Sequence, residues 1–223
     1  MPRGSRKRED AAGPGRLTGD TVVDAALALI ERRGLEGLTM RALGVALGVE
    51  AMSLYHWFGS KDRLLDAIAD RLIRRVAIGP APSAAGWKAW MTDIARAYRR
   101  MGLEQPRAFP LVGARRFLSP GAIAFIQGIV AANLEAGFDL RGAVRLTRSV
   151  GAFVNGIVMM EVTPPAPAPG DVPTSILAAA QWQRALGFIA RPALDGAFEY
   201  GLGCLLDGAW RSRSRIAARE TVK

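Results

Sequence analysis

Apolar residues recur three and four positions apart along almost the whole chain between residues 20 and 211. This spacing marks one face of an α-helix, and no stretch combines apolar–polar alternation with the tight turns that indicate a β-hairpin. Proline-bearing breaks interrupt the pattern at 1–17, 79–83 and 163–173. A chain of 223 residues, half of them hydrophobic, can bury a substantial core. The sequence therefore predicts an all-α fold of roughly ten helices.

The breaks and the distribution of charge indicate four parts, and the break at 163–173 is a loop within the third. The predicted parts are a basic flexible arm (1–17), a first helical unit (18–78), a larger helical domain (86–211) and a basic C-terminal tail (212–223). The first unit is expected to hold helices at 20–33, 39–48, 50–57 and 60–76. The second is expected to hold helices at 87–101, 106–117, 120–137, 140–162, 174–190 and 192–211.

Capping residues support the helix boundaries of the first unit. Thr18, Thr39 and Ser60 each precede a predicted helix and are residue types that accept a hydrogen bond from the first turn. Gly34 and Gly48 follow the first and second helices, where a glycine ends a helix in a left-handed conformation. The predicted boundaries therefore rest on local chemistry as well as on periodicity.

The second and third helices have the spacing of a helix-turn-helix motif. Leu43 and Leu47 lie one turn apart on the inner face of the second helix, and Gly44 leaves room for the helix that follows. Gly48 supplies the left-handed turn residue. A third helix fixed in this way presents its outer face to the major groove of DNA, although an ordinary αα-hairpin has the same spacing.

The same region closely resembles the DNA-binding domain of the TetR family, in register and without gaps over residues 18–75. The resemblance implies an all-α homodimer, in which each subunit has an N-terminal three-helix DNA-binding head, a connecting fourth helix and a divergent C-terminal helical domain for ligand binding and dimerisation. It also implies a transcriptional regulator, usually a repressor that a small molecule releases from its operator. The matching stretches are GLEGL (34–38), TMRAL (39–43), LGV (47–49), LYHWF (54–58) and KDRLL (61–65).

Four residues match DNA-contacting positions of the family. The resemblance implies that Thr39 caps the second helix and binds a phosphate, and that Tyr55 reaches the DNA backbone. It implies that Arg41 contacts a base, where its guanidinium can bind both acceptors of a guanine. Lys61, at the start of the fourth helix, matches a phosphate-binding lysine. For Arg41 and Lys61 the alternative is a solvated surface charge.

A helical wheel identifies the other candidate DNA contacts on the third helix. It turns Met52, Ser53, Tyr55 and His56 outward and places Ala51 in the leading turn that would enter the groove. None of these is Arg, Asn or Gln, the usual bidentate readers of base edges. Sequence choice is therefore expected to come from the base-contacting arginine, from apolar contacts with thymine methyl groups and from DNA shape.

Trp57 departs from the family pattern, because a histidine is common at this position and the histidine here is His56. The wheel places Trp57 beside the inward-facing Leu54. We therefore expect its ring to cover the edge of the core.

The net charge of +10 does not come from the predicted DNA-binding head. Residues 17–75 carry eight basic and eight acidic side chains, whereas 1–16 contribute +3 and 211–223 contribute +4. One hypothesis is that the N-terminal arm places its basic residues in a flanking minor groove; the alternative is a disordered solubilising tail. The basic residues concerned are Arg3, Arg6, Lys7 and Arg8.

The second domain has more apolar side chains than an ordinary core requires. Aromatic and methionine side chains at helical spacing are typical of a core, and in domains that resemble this family they also surround a ligand cavity. The expected ligand is bulky and mostly apolar. The predicted lining is Trp90, Ile94, Phe109, Phe117, Phe125, Val154, Met159 and Trp182, and the polar candidates are Gln127, Asn133, Thr147, Asn155 and Gln181.

Two segments, near 140–162 and 192–211, are apolar on more than one face and rich in small residues. A helix that is apolar all round is buried on both sides. The resemblance suggests that these two helices form a four-helix homodimer interface. Cys204 is expected to lie there as a small buried hydrophobe.

Composition excludes several kinds of site. A single cysteine and a single histidine exclude a zinc site of paired cysteines and a multi-histidine metal site, so we expect no metal and no cofactor. Tetracycline-binding members of the family hold magnesium through a histidine. That site is not expected here, because the single histidine of this chain, His56, lies in the predicted DNA-binding head. The lack of a signal peptide or a long apolar span favours a cytoplasmic protein without a membrane partner.

The leading interpretation is a dimeric repressor that binds double-stranded DNA at a near-palindromic operator and responds to a small apolar effector. One alternative is a TetR-like regulator without a small-molecule effector, either protein-responsive or constitutive. A helical enzyme acting on a phosphorylated substrate is a weaker alternative, because no P-loop, GxSxG, HExxH or paired-carboxylate motif occurs. No catalytic residue is therefore predicted.

Overall fold

The computed structural model describes residues 17–115, 119–163 and 195–220. These residues form α-helices joined by turns and two short 3-10 helices, and no strand occurs among them. The expected all-α fold is therefore confirmed. The helices are α1 (Gly19–Arg33), α2 (Met40–Leu47), α3 (Ala51–Phe58), α4 (Lys61–Arg74), α5 (Trp87–Glu104), α6 (Phe109–Arg115), α7 (Pro120–Glu135), α8 (Leu140–Val162) and α9 (Asp195–Glu220).

Helix α1 begins and ends as its capping residues predict. The Thr18 hydroxyl accepts a hydrogen bond from the backbone N–H of Thr21 at 3.1 Å, and the Thr21 hydroxyl accepts one from the Thr18 N–H at 2.9 Å. This reciprocal pair satisfies two backbone donors at the start of the helix. Gly34 ends α1 at φ 75°, and its N–H donates to the Ile30 carbonyl at 2.7 Å. The inner face of α1 is buried, at Val22, Val23, Ala26, Leu29 and Ile30.

Helix α4 is shared between the two parts of the chain. Ser60 caps it by accepting a hydrogen bond from the Arg63 N–H at 3.2 Å. One side of the helix packs against α1 and α3, and the other packs against α6 and α7. Leu64, Ile68 and Ile73 are buried along its length. A displacement of α4 therefore affects both parts.

A buried hydrogen-bond network fixes three helices of the second domain. The indole N–H of Trp87 on α5 donates to Asn133 Oδ1 on α7 at 2.8 Å, and both side chains are fully buried. Asn133 Nδ2 donates to the Thr147 hydroxyl on α8 at 3.0 Å, and that hydroxyl donates to the Ala143 carbonyl at 2.8 Å. Because an unpaired polar group would be costly here, the network sets the register of α5, α7 and α8.

Helix α9 packs against α8 through a close approach at a glycine. A β-carbon on Gly201 would lie 2.5 Å from the ring of Phe153, so no larger residue fits without a shift. The rings of Phe153 and Phe198 stack beside this contact with centroids 6.2 Å apart. At the surface, Arg96 on α5 donates two hydrogen bonds of 2.8 Å to the Glu199 carboxylate.

The expected break at 79–83 lies in a non-helical stretch, 77–83, between α4 and a 3-10 helix at Ala84–Gly86. The hydrophobic core nevertheless continues across it. Buried residues of α4, such as Leu72 and Ile73, belong to the same cluster as Trp87 and Met91 on α5.

Several predicted helix boundaries were wrong. Helix α6 begins at Phe109, because residues 106–108 form a turn that is bound to the end of α1. There the Ala108 N–H donates to Glu31 Oε1 at 3.0 Å and Arg107 donates to the Arg32 carbonyl at 2.8 Å. Helix α9 begins at Asp195 and continues through Glu220, past the predicted end at 211. The predicted helix at 174–190 and the N-terminal arm lie outside the described residues.

Candidate nucleic-acid interface and ligand cavity

The turn between α2 and α3 is fixed by three local features. Thr39 caps α2, its hydroxyl accepting from the Ala42 N–H at 3.0 Å. Gly48 adopts φ 68° and ψ 30°, the left-handed conformation expected of it. A β-carbon on Gly44 would lie 2.7 Å from the Val49 carbonyl oxygen, so the chain crosses α2 where no side chain stands. The helix-turn-helix geometry follows from these residues.

Helix α3 buries Leu54 completely and turns its other faces to solvent. Met52, Tyr55 and His56 are exposed, as the wheel predicts. Ser53 is half-buried, and Ala51 is half-buried where it packs against the core. The DNA contacts of the exposed surface of α3 remain a prediction.

Trp57 lies at the edge of the head core. Its ring is half exposed and comes within 4.0 Å of the position that a β-carbon on Gly19 would occupy, beside the ring of Phe58. Trp57 is therefore an exposed side chain beside the start of α1, and its covering of the core remains a prediction.

Two cations of the candidate interface have no acidic partner. Within the described ranges, neither Arg41 nor Lys61 forms an ion pair, and both are exposed, as is Thr39. Several acids of the head pair with other cations: Asp20 pairs with Arg71 at 2.7 Å, and Asp62 pairs with Arg115 at 2.7 Å. Arg41 and Lys61 therefore carry positive charge that no described ion pair neutralises.

Another ion pair of the head, between Asp70 and Arg74, lies within α4. Asp70 accepts from Arg74 Nε and from the Gly121 N–H at the start of α7, each at 2.5 Å. Burial raises the pKa of Asp70, but hydrogen bonds from Arg74, Ser119 and Gly121 outweigh burial and lower this pKa below its ordinary value. The carboxylate therefore stays charged and holds α7 against α4.

A cavity of about 220 Å³ lies among α4, α5, α7 and α8. Its wall is mostly apolar, and Ile73 from the last turn of α4 forms part of it. Of the lining residues, Arg148, Gly151 and Ala152 on α8 are exposed, so the cavity opens beside this helix. The described lining is Ile73, Met91, Ile94, Ala95, Tyr98, Ala122, Phe125, Ile126, Ile129, Thr147, Arg148, Val150, Gly151, Ala152 and Val154.

The predicted lining residues are divided between cavity and core. Ile94, Phe125 and Val154 line the cavity. The described lining does not include Trp90, whose indole N–H donates to the Gly79 carbonyl at 3.3 Å. It also does not include Phe109, which is fully buried and packs edge-to-face against Tyr98, or Met159, which is half-buried. Phe117 and Trp182 lie outside the described residues.

The predicted polar candidates have different positions. Asn133 is part of the buried network and Gln127 is exposed on α7. Thr147 lines the cavity, but its hydroxyl is engaged by that network. Asn155 accepts a long hydrogen bond of 3.5 Å from the Tyr98 hydroxyl. Gln181 lies outside the described residues.

Sequence reasoning missed the small residues and the cation of the cavity. Ala95, Ala122 and Gly151 form its wall because short side chains leave space between packed helices. Arg148 stands where the wall meets solvent. The sequence signal for the small residues is the recurrence of alanines and glycines at helical spacing beside the aromatic side chains of the second domain.

In the described ranges, no group of three or more His, Cys, Asp or Glu side chains comes together. No single described helix is long and apolar enough to cross a membrane; only α6 and α7 together, bent by 73° at their break, reach that length and composition. Both helices of this pair pack against α4 and α8.

A helix-turn-helix head that shares one helix with a larger, cavity-bearing helical domain defines a class of DNA-binding regulators. The description "Bacterial regulatory proteins, tetR family" matches residues 22–68, and "Tetracyclin repressor-like, C-terminal domain" matches residues 79–211. The chain belongs to the TetR family, and it is a DNA-binding transcriptional regulator.

Similar proteins and a similar solved structure support this assignment. A helix-turn-helix transcriptional repressor of Mycobacterium tuberculosis is 27% identical over 98% of this chain and 90% of its own length. The class A tetracycline repressor of Escherichia coli is 29% identical over 89% of this chain and 93% of its own. A solved structure of a possible TetR family regulator from Streptomyces coelicolor superposes with a TM-score of 0.75 and is 31% identical, covering 88% of this chain and 100% of that one.

Proposed function

We propose that the protein is a homodimeric repressor that binds a near-palindromic operator and leaves it when a small, mostly apolar molecule occupies the cavity. The observation that carries the proposal is the course of α4. Its first residue, Lys61, lies on the candidate DNA surface, and Ile73 in its last turn lies in the cavity wall. These positions are about 18 Å apart along one helix.

The DNA-binding part of the proposal rests on the exposed side of the head. Arg41 and Lys61 are charged and unpaired among the described residues, and Thr39 and Tyr55 offer hydroxyl groups beside them in the motif. Cations and hydroxyls at helix N-termini suit phosphate oxygens, and an arginine suits a guanine edge. Two such heads in a symmetric dimer would meet half-sites about 34–36 Å apart.

The dimer part rests on the outward face of α8 and α9. Beyond the turn that borders the cavity opening, α8 exposes Gly156, and α9 exposes Cys204 and Gly208 at four-residue spacing, so both helices present small side chains. Tyr200 on the same side of α9 is 75% exposed. Small and apolar residues on adjacent helices favour the close approach of a second copy. Cys204, exposed in the single chain, would be covered there.

The response to ligand rests on how firmly the second domain is bound to α4. Arg115 on α6 binds Asp62 and Asp66, and Asp70 binds the start of α7. A ligand that moves α6 or α7 would therefore displace α4 and change the separation of the heads. By thermodynamic linkage, operator DNA would weaken ligand binding by the same factor.

The cavity volume narrows the expected ligand. A cavity of about 150 Å³ accommodates benzene, so about 220 Å³ favours a body of one or two rings over the bulky ligand that the sequence suggests. A larger molecule would have to extend through the opening beside α8.

DNA binding is tested by fluorescence anisotropy with duplexes from the region upstream of the protein's own gene. We expect salt-dependent binding to a near-palindrome, and Arg41→Ala is expected to weaken it about tenfold or more. Lys61→Gln should lower the salt slope by about one. Arg100→Ala, an exposed arginine on α5, is the matched control. Equal affinity of Arg41→Ala and Arg100→Ala for the palindrome would refute the proposed interface.

Dimerisation is tested by light scattering coupled to gel filtration. Tyr200→Glu is expected to give a monomer, because it places a charge in the proposed interface. Leu103→Glu, an exposed leucine on α5, is expected to remain a dimer. A wild-type monomer, or a dimer unaffected by Tyr200→Glu, would contradict this interface.

A further inference from the structure

We propose that the cavity selects ligands that carry a negative charge and that Arg148 binds this charge at the opening. The inference rests on the proposed function of the cavity as the effector site. It specifies a class of ligand: an aromatic or aliphatic acid whose apolar body lies inside and whose acidic group lies at the solvent side of the wall.

The cavity wall contains few polar groups. The described lining has three polar side chains, those of Tyr98, Thr147 and Arg148. The hydroxyls of Tyr98 and Thr147 already bind Asn155 and the buried network. Arg148 forms no hydrogen bond or ion pair with any residue that the structure describes. Arg148 is therefore the polar side chain of the described lining whose hydrogen-bond donors are not used by another described residue.

The helices around the opening carry mostly positive charge. Helix α8 carries no acidic residue from Leu140 to Met160, but it exposes Arg141 and Arg145 on the turns that precede Arg148. Helix α7, which faces α8, has Glu135 at its C-terminal end as its one acidic residue. The positive charge at the opening is thus not compensated by either helix, and a field of one sign beside an apolar wall attracts the opposite charge.

The guanidinium group of Arg148 is suited to an acidic ligand. Its planar fork donates two parallel hydrogen bonds to a carboxylate or a sulfonate, and such charge-assisted bonds are stronger than neutral ones. Its long apolar stem can lie along the wall while the charged end reaches the opening. The described lining contains no aspartate or glutamate that would repel an anion or occupy Arg148.

The test compares three two-ring probes of nearly equal size: 2-naphthoate, 2-naphthamide and 2-naphthylmethylammonium. Binding to the full-length wild-type protein is measured by calorimetry at pH 7. We expect the anion to bind about tenfold tighter than the neutral amide, with the cation weakest. Arg148→Gln should remove the preference for the anion and leave the affinity for the amide unchanged. Arg145→Gln, an exposed arginine of α8 outside the described lining, is the matched control and should keep most of the preference.

Three results would overturn the inference, and they differ in what they say of the proposed function. Equal binding of the anion and the amide would contradict charge selection by the cavity. The proposed effector site would stand, because release of the operator by either probe could still be measured by anisotropy. Loss of dimerisation in Arg148→Gln without any change in probe selectivity would assign Arg148 to the subunit interface instead. Failure of all three probes to bind would contradict both the inference and the effector site.

Discussion

Arg115 on α6 lies 2.5 Å from the carboxylate of Asp66 on α4, although the two residues are 49 positions apart in the chain. The same guanidinium lies 2.7 Å from Asp62, one turn earlier on α4. Hydrogen bonds to Asp66 and Asp62 raise the pKa of Arg115 above its ordinary value. Because two carboxylates one turn apart repel each other, Arg115 stabilises the N-terminal half of α4 and ties it to the second domain.

Replacement of this arginine is expected to loosen α4. Arg115→Gln leaves Asp62 and Asp66 facing each other and should lower the free energy of unfolding by about 1 kcal/mol. Hydrogen exchange should become faster at the amides of residues 61–66. The control Arg96→Gln breaks an ion pair between α5 and α9, away from α4. Unchanged exchange at 61–66 in Arg115→Gln would show that the ion pairs do not hold α4.

The close approach at Gly44 predicts a specific sensitivity of the head. Gly44→Ala places a methyl group 2.7 Å from the Val49 carbonyl, so the turn must shift. We expect a loss of about 1–3 kcal/mol in thermal or urea unfolding, together with weaker DNA binding. Gly128→Ala on α7 is the control, because its nearest neighbour would lie at an ordinary 3.5 Å. A Gly44→Ala protein as stable as Gly128→Ala would contradict the packing described for the turn.

The contact between Asp70 and the start of α7 predicts a dependence of stability on pH. The pKa of Asp70 is lowered in the folded protein, so its contribution is present above the unfolded pKa of about 3.9 and is lost as the pH falls through the lower folded value. Asp70→Asn should therefore cost about 1 kcal/mol at pH 7, and the difference from wild type should shrink below pH of about 4. Urea unfolding at several pH values measures it.

Asp93→Asn, on the exposed side of α5, is the control for this comparison and should remain within about 0.5 kcal/mol of wild type at each pH. A difference between Asp70→Asn and wild type that stayed constant down to pH of about 3 would mean that the charge of Asp70 is not what stabilises the contact.

The head could be predicted from sequence because its determinants are local. Thr18, Thr39 and Ser60 cap helices through hydrogen bonds to residues three positions away, and each one forms. Gly34 and Gly48 adopt the positive φ values that their positions require. Such interactions depend on neighbours in the chain, so the sequence alone carries them.

The cavity could not be predicted in the same way. The sequence predicts that large apolar residues such as Trp90 and Phe109 line it. Neither belongs to the described lining, because large side chains fill the space between packed helices and leave no cavity beside them. The space appears beside Ala95 and Gly151, where packing of distant helices leaves a gap. The ion pairs of Arg115 are equally non-local, because they join residues from two parts of the chain.

Coupling between the cavity and the DNA surface through α4 is tested most directly without any ligand, by filling the cavity from within. Ala95→Leu adds volume to the cavity wall, whereas Ala89→Leu adds the same volume on the exposed side of the same helix. Operator affinity of both variants is measured by fluorescence anisotropy, with circular dichroism and melting temperature to verify folding. The account predicts that Ala95→Leu binds the operator about tenfold more weakly than Ala89→Leu, equivalent to about 1.4 kcal/mol of coupling. Equal operator affinity in two well-folded variants would contradict it.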